Sequence, residues 1–198
     1  MHRFINMKLK NKTSRLFVVI ILMMLSSSCQ SEYSRTVRRE LAFGGTHNKL
    51  LFDLEVGQKM QAFFDRCTQL NKEKKITQGA GVFAHQILKL QNEQDPKIEM
   101  LFYGISNEEK ILTGMKLRFS YVAWSPWNKK LQSEKLIAPI KDSLMLWFPG
   151  NPFFKVASGI EDQNIHIKID GNRRIRVLLL NARQLSVKIE DISNKYQK

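Results

Sequence analysis

From Ile165 to Leu179 apolar and polar residues alternate on both sides of Asp170-Gly171-Asn172. Ile165, Ile167 and Ile169 alternate with His166, Lys168 and Asp170, and Ile175, Val177 and Leu179 return against Arg174, Arg176 and Leu178. A period of two sorts a strand into two faces. Asp-Gly-Asn supplies residues that tolerate positive φ where a chain reverses. The stretch therefore reads as a β-hairpin, and Leu185, Val187 and Ile189 continue it into one more strand. Ile98, Met100 and Phe102 repeat the pattern, as do Met115, Leu117, Phe119 and Tyr121 with Lys116, Arg118 and Ser120 between them. Val82 to Leu90 is apolar-rich and also strand-like. Alternation of this length marks half-buried antiparallel strands.

Two stretches carry a helical period instead. Met60, Phe63, Phe64, Cys67 and Leu70 fall on one face of a 3.6-residue repeat, with Gln61, Asp65, Arg66 and Gln69 opposite. This places Cys67 in an apolar stripe, where a free cysteine packs as a small hydrophobe. Leu136, Ile137, Ile140, Leu144 and Trp147 form a second face, with a kink or split expected at Pro139. Ser125-Pro126 is a candidate helix start before it, as N-cap and first helical residue. Lys49 to Val56 reads as a first strand or a packed loop. Hairpin-linked strands with helices set aside indicate an α+β fold: antiparallel sheet(s) with two helical segments, the helix-then-strands unit occurring twice.

Ten apolar residues, Leu16 to Leu25, precede this domain. A membrane-spanning helix needs about 20, so the run fits the apolar core of a signal peptide. Arg3, Lys8, Lys10, Lys12 and Arg15 come before it without any acid. Leu25-Ser26-Ser27-Ser28-Cys29 resembles a bacterial lipobox, although Ser26 stands where the usual Leu would be three residues before the cysteine. The resemblance implies cleavage before Cys29, lipidation of that residue and a membrane anchor made by its acyl chains. The alternative is ordinary cleavage near the serines, with Cys29 incidental. Gln30 and Ser31 follow without an Asp, which resembles outer-membrane sorting. The expected organisation is a signal peptide at 1–28, a tether at 29–45 and one α+β domain at 46–198. The expected place is the bacterial cell envelope, on the outer membrane facing the periplasm. With Cys29 acylated, Cys67 has no disulfide partner.

The formal net charge of the 198 residues is +14. The leader carries +5 of it, leaving 27 basic residues against 18 acidic ones in the remainder. A basic surface attracts phosphates and other anions, and export argues against nucleic acid as the partner. If Ile165, Ile167, Ile169, Ile175 and Val177 face the core, the other face gathers His166, Lys168, Arg174, Arg176 and, from the next strand, Lys188, with Arg173 at the turn. These five form a candidate anion-binding site, since guanidinium groups grip phosphate bidentately. The competing reading is a solvated sheet face whose charges protect against edge-to-edge pairing. Tyr121, Trp124 and Trp127 form either a binding lip or a packed corner.

No catalytic signature accompanies these features. His47, His85 and His166 are isolated, without metal-ligand spacing. The carboxylate pairs Glu108-Glu109 and Glu161-Asp162 sit in expected turns. No nucleophile elbow or phosphate-cradling glycine loop occurs. Neither a cofactor nor a metal is expected.

Three stretches together resemble a group of lipoproteins of Bacteroidetes-type bacteria: LLFDLEVGQKMQAFFDRCTQLNKEKKITQG (Leu50–Gly79), YVAWSPWN (Tyr121–Asn128) and IKIDGNRRIRV (Ile167–Val177). That likeness implies an envelope location and carries no activity. Gly57 and the helix after it are also similar to small lipoproteins of the outer-membrane assembly machine, and such a fold analogy does not transfer function. The sequence thus leads to a non-enzymatic, lipid-anchored structural, assembly or accessory factor that acts on an envelope protein partner by contact. The alternative is a binding module for lipid phosphate or acidic glycan through the basic β-face.

Overall fold

The computed structural model describes residues 31–79, 81, 83–88, 96–157 and 164–196. The leader, Cys29 and the pair Glu161-Asp162 lie outside them. The chain divides into two compact units, residues 1–38 and 39–198. The described part of the first enters a helix, α1 (Glu32–Ala42), inside the 29–45 segment expected to be a tether. Tyr33, Val37 and Leu41 recur every fourth residue, and the Ser31 hydroxyl accepts the Ser34 N–H at 3.3 Å, capping the first turn.

The second unit is α+β, with one eight-stranded antiparallel sheet. Helix α2 (Met60–Lys72) precedes β1 (Thr77–Gln78), β2 (Ala84–Ile87), β3 (Ile98–Ser106) and β4 (Leu112–Tyr121). Two short 3-10 turns, Lys129–Leu131 and Ser133–Leu136, lead into α3 (Ile137–Trp147). Then come β5 (Phe154–Ala157), β6 (Asn164–Asp170), β7 (Arg173–Leu179), β8 (Leu185–Asp191) and a short α4 (Ser193–Tyr196). The spatial order is β1-β2-β3-β4-β8-β7-β6-β5. Helix-plus-four-strands therefore does occur twice, and the two halves join through their last strands.

One face of the sheet is the core face. Met100, Phe102, Leu117, Phe119, Val187, Leu185, Ile189, Val177 and Ile175 lie on it, all buried. Phe63 and Leu70 of α2 and Ile140 and Leu144 of α3 belong to the same apolar cluster. The Phe63 ring meets Phe102 edge-on at 6.3 Å. Residues 49–56 are a packed loop rather than a strand: Leu50 and Leu54 are buried, and the Phe52 ring stacks at 4.6 Å from Phe102.

Two local expectations are corrected. Pro139 neither kinks nor splits the helix, because α3 begins at Ile137 and Pro139 is its third residue. The first turn has no carbonyl for that N–H, so nothing is lost by its absence. Ser125 caps no helix; Asn128 does the capping, its side chain accepting the Lys130 N–H at 3.1 Å ahead of the first 3-10 turn. Among the described residues no helix is long and apolar enough to cross a membrane.

Candidate anion-binding face

Strand register decides which charges share a face. The β6–β7 turn has two residues between its paired ends, so Asp170 pairs with Arg173, Ile169 with Arg174, Lys168 with Ile175, Ile167 with Arg176 and His166 with Val177. Directly opposed residues lie on the same side of a sheet. Arg174 and Arg176 thus share a face with Ile167 and Ile169, while His166 and Lys168 lie on the core side with Ile175 and Val177. The five expected site residues are therefore not one constellation. A turn one residue shorter than the Asp-Gly-Asn triplet suggests moves every side chain of one strand to the opposite face.

On the core side, Lys168 is fully buried. Its Nζ donates to the Asn151 carbonyl at 2.6 Å and to Asp170 Oδ1 at 2.9 Å. Arg173 Nη2 donates to Asp170 Oδ2 at 3.0 Å and the guanidinium lies 4.8 Å over the Phe148 ring. The Asn151 N–H donates to Asp170 Oδ1 at 2.8 Å. This cluster fastens the turn after α3 to the sheet and is closed to solvent. Burial pulls the Lys168 ammonium below the usual lysine range, against the opposing effect of its hydrogen bond to Asp170. His166 is 9% exposed; burial and the nearby Lys141 and Lys155 lower its pKa. Neither residue is available to an outside anion. The close approach at Asp170 requires Gly150, whose φ is +140° and whose Cβ, if present, would collide with Asp170 Oδ1. Gly150→Ala is expected to lower stability by about 2 kcal/mol or more, read as an earlier urea midpoint, with no change in anion binding.

The other face carries a second set of charges, half-buried at Lys116, Arg118, Arg176 and Lys188 and buried at Arg174 and Glu190. Lys116 of β4 pairs with Lys188 of β8, which pairs with Arg176 of β7. Three cations thus stand in register on three adjacent strands, an arrangement that repels itself unless something compensates. Beside that row Glu190 pairs with Arg174, and Arg118 lies across from Ser186. The Glu190 carboxylate is 5% exposed and receives four cations. Arg174 donates through Nη2 at 2.8 Å and Nε at 3.2 Å, and Arg176 Nη2 lies at 3.2 Å, all on Oε1. Lys188 Nζ at 2.8 Å and Lys195 Nζ at 2.7 Å take Oε2. Burial would raise this carboxyl, but hydrogen bonds from Lys188, Lys195 and Arg174 outweigh it and hold the pKa at about 2. Among the described residues the buried Nε–H groups of Arg118 and Arg176 meet no hydrogen-bond acceptor. Glu99, farther along the same face, is held by the Ser120 hydroxyl at 2.6 Å and by His85 and Arg183 at 3.5 Å.

Arg174, Arg176 and Lys188 are therefore brought together as expected, His166 and Lys168 are not, and Lys116, Arg118, Glu190 and Lys195 complete the group. The alternation around Lys116 and Arg118 already put them on a polar strand face. What the sequence lacked was the adjacency of β4 and β8.

Other features stay apart from this face. Cys67 lines an apolar cleft of about 660 Å³ between α2 and β1–β3, and burial raises its thiol to about 11, so it packs as a protonated hydrophobe. Among the described residues no three His, Cys, Asp or Glu side chains are placed to hold a metal ion. Glu108 and Glu109 are exposed turn residues. No family model, curated protein or solved structure matches the chain.

Proposed function

We propose that this chain is a lipid-anchored binding module of the cell envelope, held at Cys29, whose β4–β8–β7 face takes an anionic, phosphate-bearing ligand by contact and without catalysis. The observation that supports this reading is the shortage of negative charge there among the described residues: one carboxylate, Glu190, serves four cations, with Lys116 and Arg118 beside them. A bound phosphate supplies the missing charge and accepts from the partly exposed ends of Arg176, Lys188 and Lys195. Lipid headgroups and phosphorylated glycans both offer that chemistry.

The test uses the full chain in detergent with inorganic pyrophosphate, then with phosphatidylglycerol micelles and a soluble phosphorylated polysaccharide. Arg176→Glu with Lys188→Glu should weaken pyrophosphate binding by roughly tenfold or more, as expected for losing two charge-assisted contacts. Micelles or polysaccharide competing for pyrophosphate would identify the source of the phosphate. Equal pyrophosphate affinity for wild type and the double variant would overturn the reading.

A further inference from the structure

Beyond the anion-binding face, we propose that the end of the sheet where β4 leaves and β8 enters docks onto an anionic bilayer surface. Two connections meet there. The loop after β4 runs from Val122 to Asn128, and the β7–β8 turn covers Leu180 to Gln184. Trp124 Nε1–H donates to the Ala182 carbonyl at 3.2 Å, and the Arg183 guanidinium lies 5.6 Å from the Trp124 ring. Gln132 Nε2 donates to the carbonyls of Ser125 at 3.0 Å and Asn128 at 2.7 Å. Ser133 reaches the same turn, its N–H donating to Ala182 O at 2.9 Å and its hydroxyl to Asn181 O at 2.6 Å. Val122 N–H donates to the Lys97 carbonyl at 2.9 Å. These bonds fix both connections.

Apolar side chains nevertheless stand out from this fixed platform. Trp127 is 82% exposed, Val122 50% and Leu180 41%. The Trp pair is thereby split: Trp124 is half-buried and closes the corner, while Trp127 faces solvent. Lys97, Lys129, Lys130 and Arg183 are exposed around them. The segments 121–133 and 179–184 contain no carboxylate; Arg183 does reach Glu99 at 3.5 Å. An exposed indole flanked by lysines and arginines is the chemistry of the membrane–water interface, where the ring sits at headgroup level and the cations meet lipid phosphate. Charge complementarity therefore selects an anionic lipid surface. The ends of the strands, not the cation row on the sheet face, would make the contact.

The experiment adds the full chain to phosphatidylglycerol-rich vesicles whose acyl chains carry bromine, and reads the emission lost on Trp127→Phe as the Trp127 signal. This readout is local, so attachment through the apolar leader does not produce it. The Trp127 signal should be quenched about twofold or more, as for an indole at headgroup depth. Lys129→Glu with Lys130→Glu should reverse the quenching and require roughly tenfold more anionic lipid to restore it. Arg176→Glu with Lys188→Glu should leave the quenching intact, so failure of the anion-binding face and failure of the docking surface are distinguishable. A Trp127 signal untouched by bromine and open to aqueous iodide would overturn the proposal. So would equal quenching on phosphatidylcholine vesicles.

Discussion

Replacing Asp170 by alanine should cost about 3–5 kcal/mol of stability, the usual consequence of stranding a buried charge. Lys168 at 0% exposure and Arg173 at 5% would keep their charges and lose their common carboxylate, and the Asn151 N–H would lose its acceptor. In a chain of this size the loss corresponds to roughly 6–20 °C in Tm. Lys168→Met should be milder, because Asp170 keeps Arg173 and Asn151 while only the Asn151 carbonyl is orphaned. Urea titrations of the two variants side by side check the ordering. An Asp170→Ala midpoint no lower than that of Lys168→Met would mean that the cluster does not fasten the turn after α3.

Glu190→Gln should act in opposite directions on stability and on binding. In the folded protein the carboxyl titrates at about 2 instead of 4.5. A depressed pKa contributes stability above the unfolded value that disappears as pH falls through the folded one. Here the window runs from about 4.5 down to about 2, and the contribution is on the order of 3 kcal/mol. At pH 7 the glutamine variant should be less stable than wild type by about that amount. The gap should close as pH falls through the window, since a protonated glutamate is nearly a glutamine. Over the same substitution, pyrophosphate affinity at pH 7 should rise, because Arg174, Arg176, Lys188 and Lys195 lose the carboxylate that competes with the ligand. A constant stability gap from pH 5 to pH 2 would show that Glu190 is not the shared anion. Weaker pyrophosphate binding by the variant would count against the face as a phosphate site.

The strands with full alternation were legible from their residues, and so was the α2 stripe containing Cys67. The edge strands were not. Thr77–Gln78 has two residues and Phe154–Ala157 four, too few for a period to register. The site was legible as composition but not as geometry. Period-two patterning assigns residues to faces within each strand, yet it leaves the relative facing of two strands to the turn between them. In the β6–β7 hairpin a difference of one turn residue exchanged Lys168 with the solvent side and put Ile167 beside Arg176. Glu190, the center of the cation group, read only as the residue after the last alternating isoleucine, because its four partners come from two strands and the short α4.

The order β1-β2-β3-β4-β8-β7-β6-β5 also governs when the sheet can close. Its middle seam joins β4 to β8, residues 112–121 to residues 185–191. Each meander can form from local contacts, but the two become one sheet only after the last strand has been synthesised. A chain still emerging from the ribosome holds two open half-sheets whose apolar faces have no common core. Loss of residues from 185 onward would remove a central strand, whereas loss of an edge strand would only narrow the sheet. Sequence order thus acts as a timer that delays the compact state until residue 191 is available.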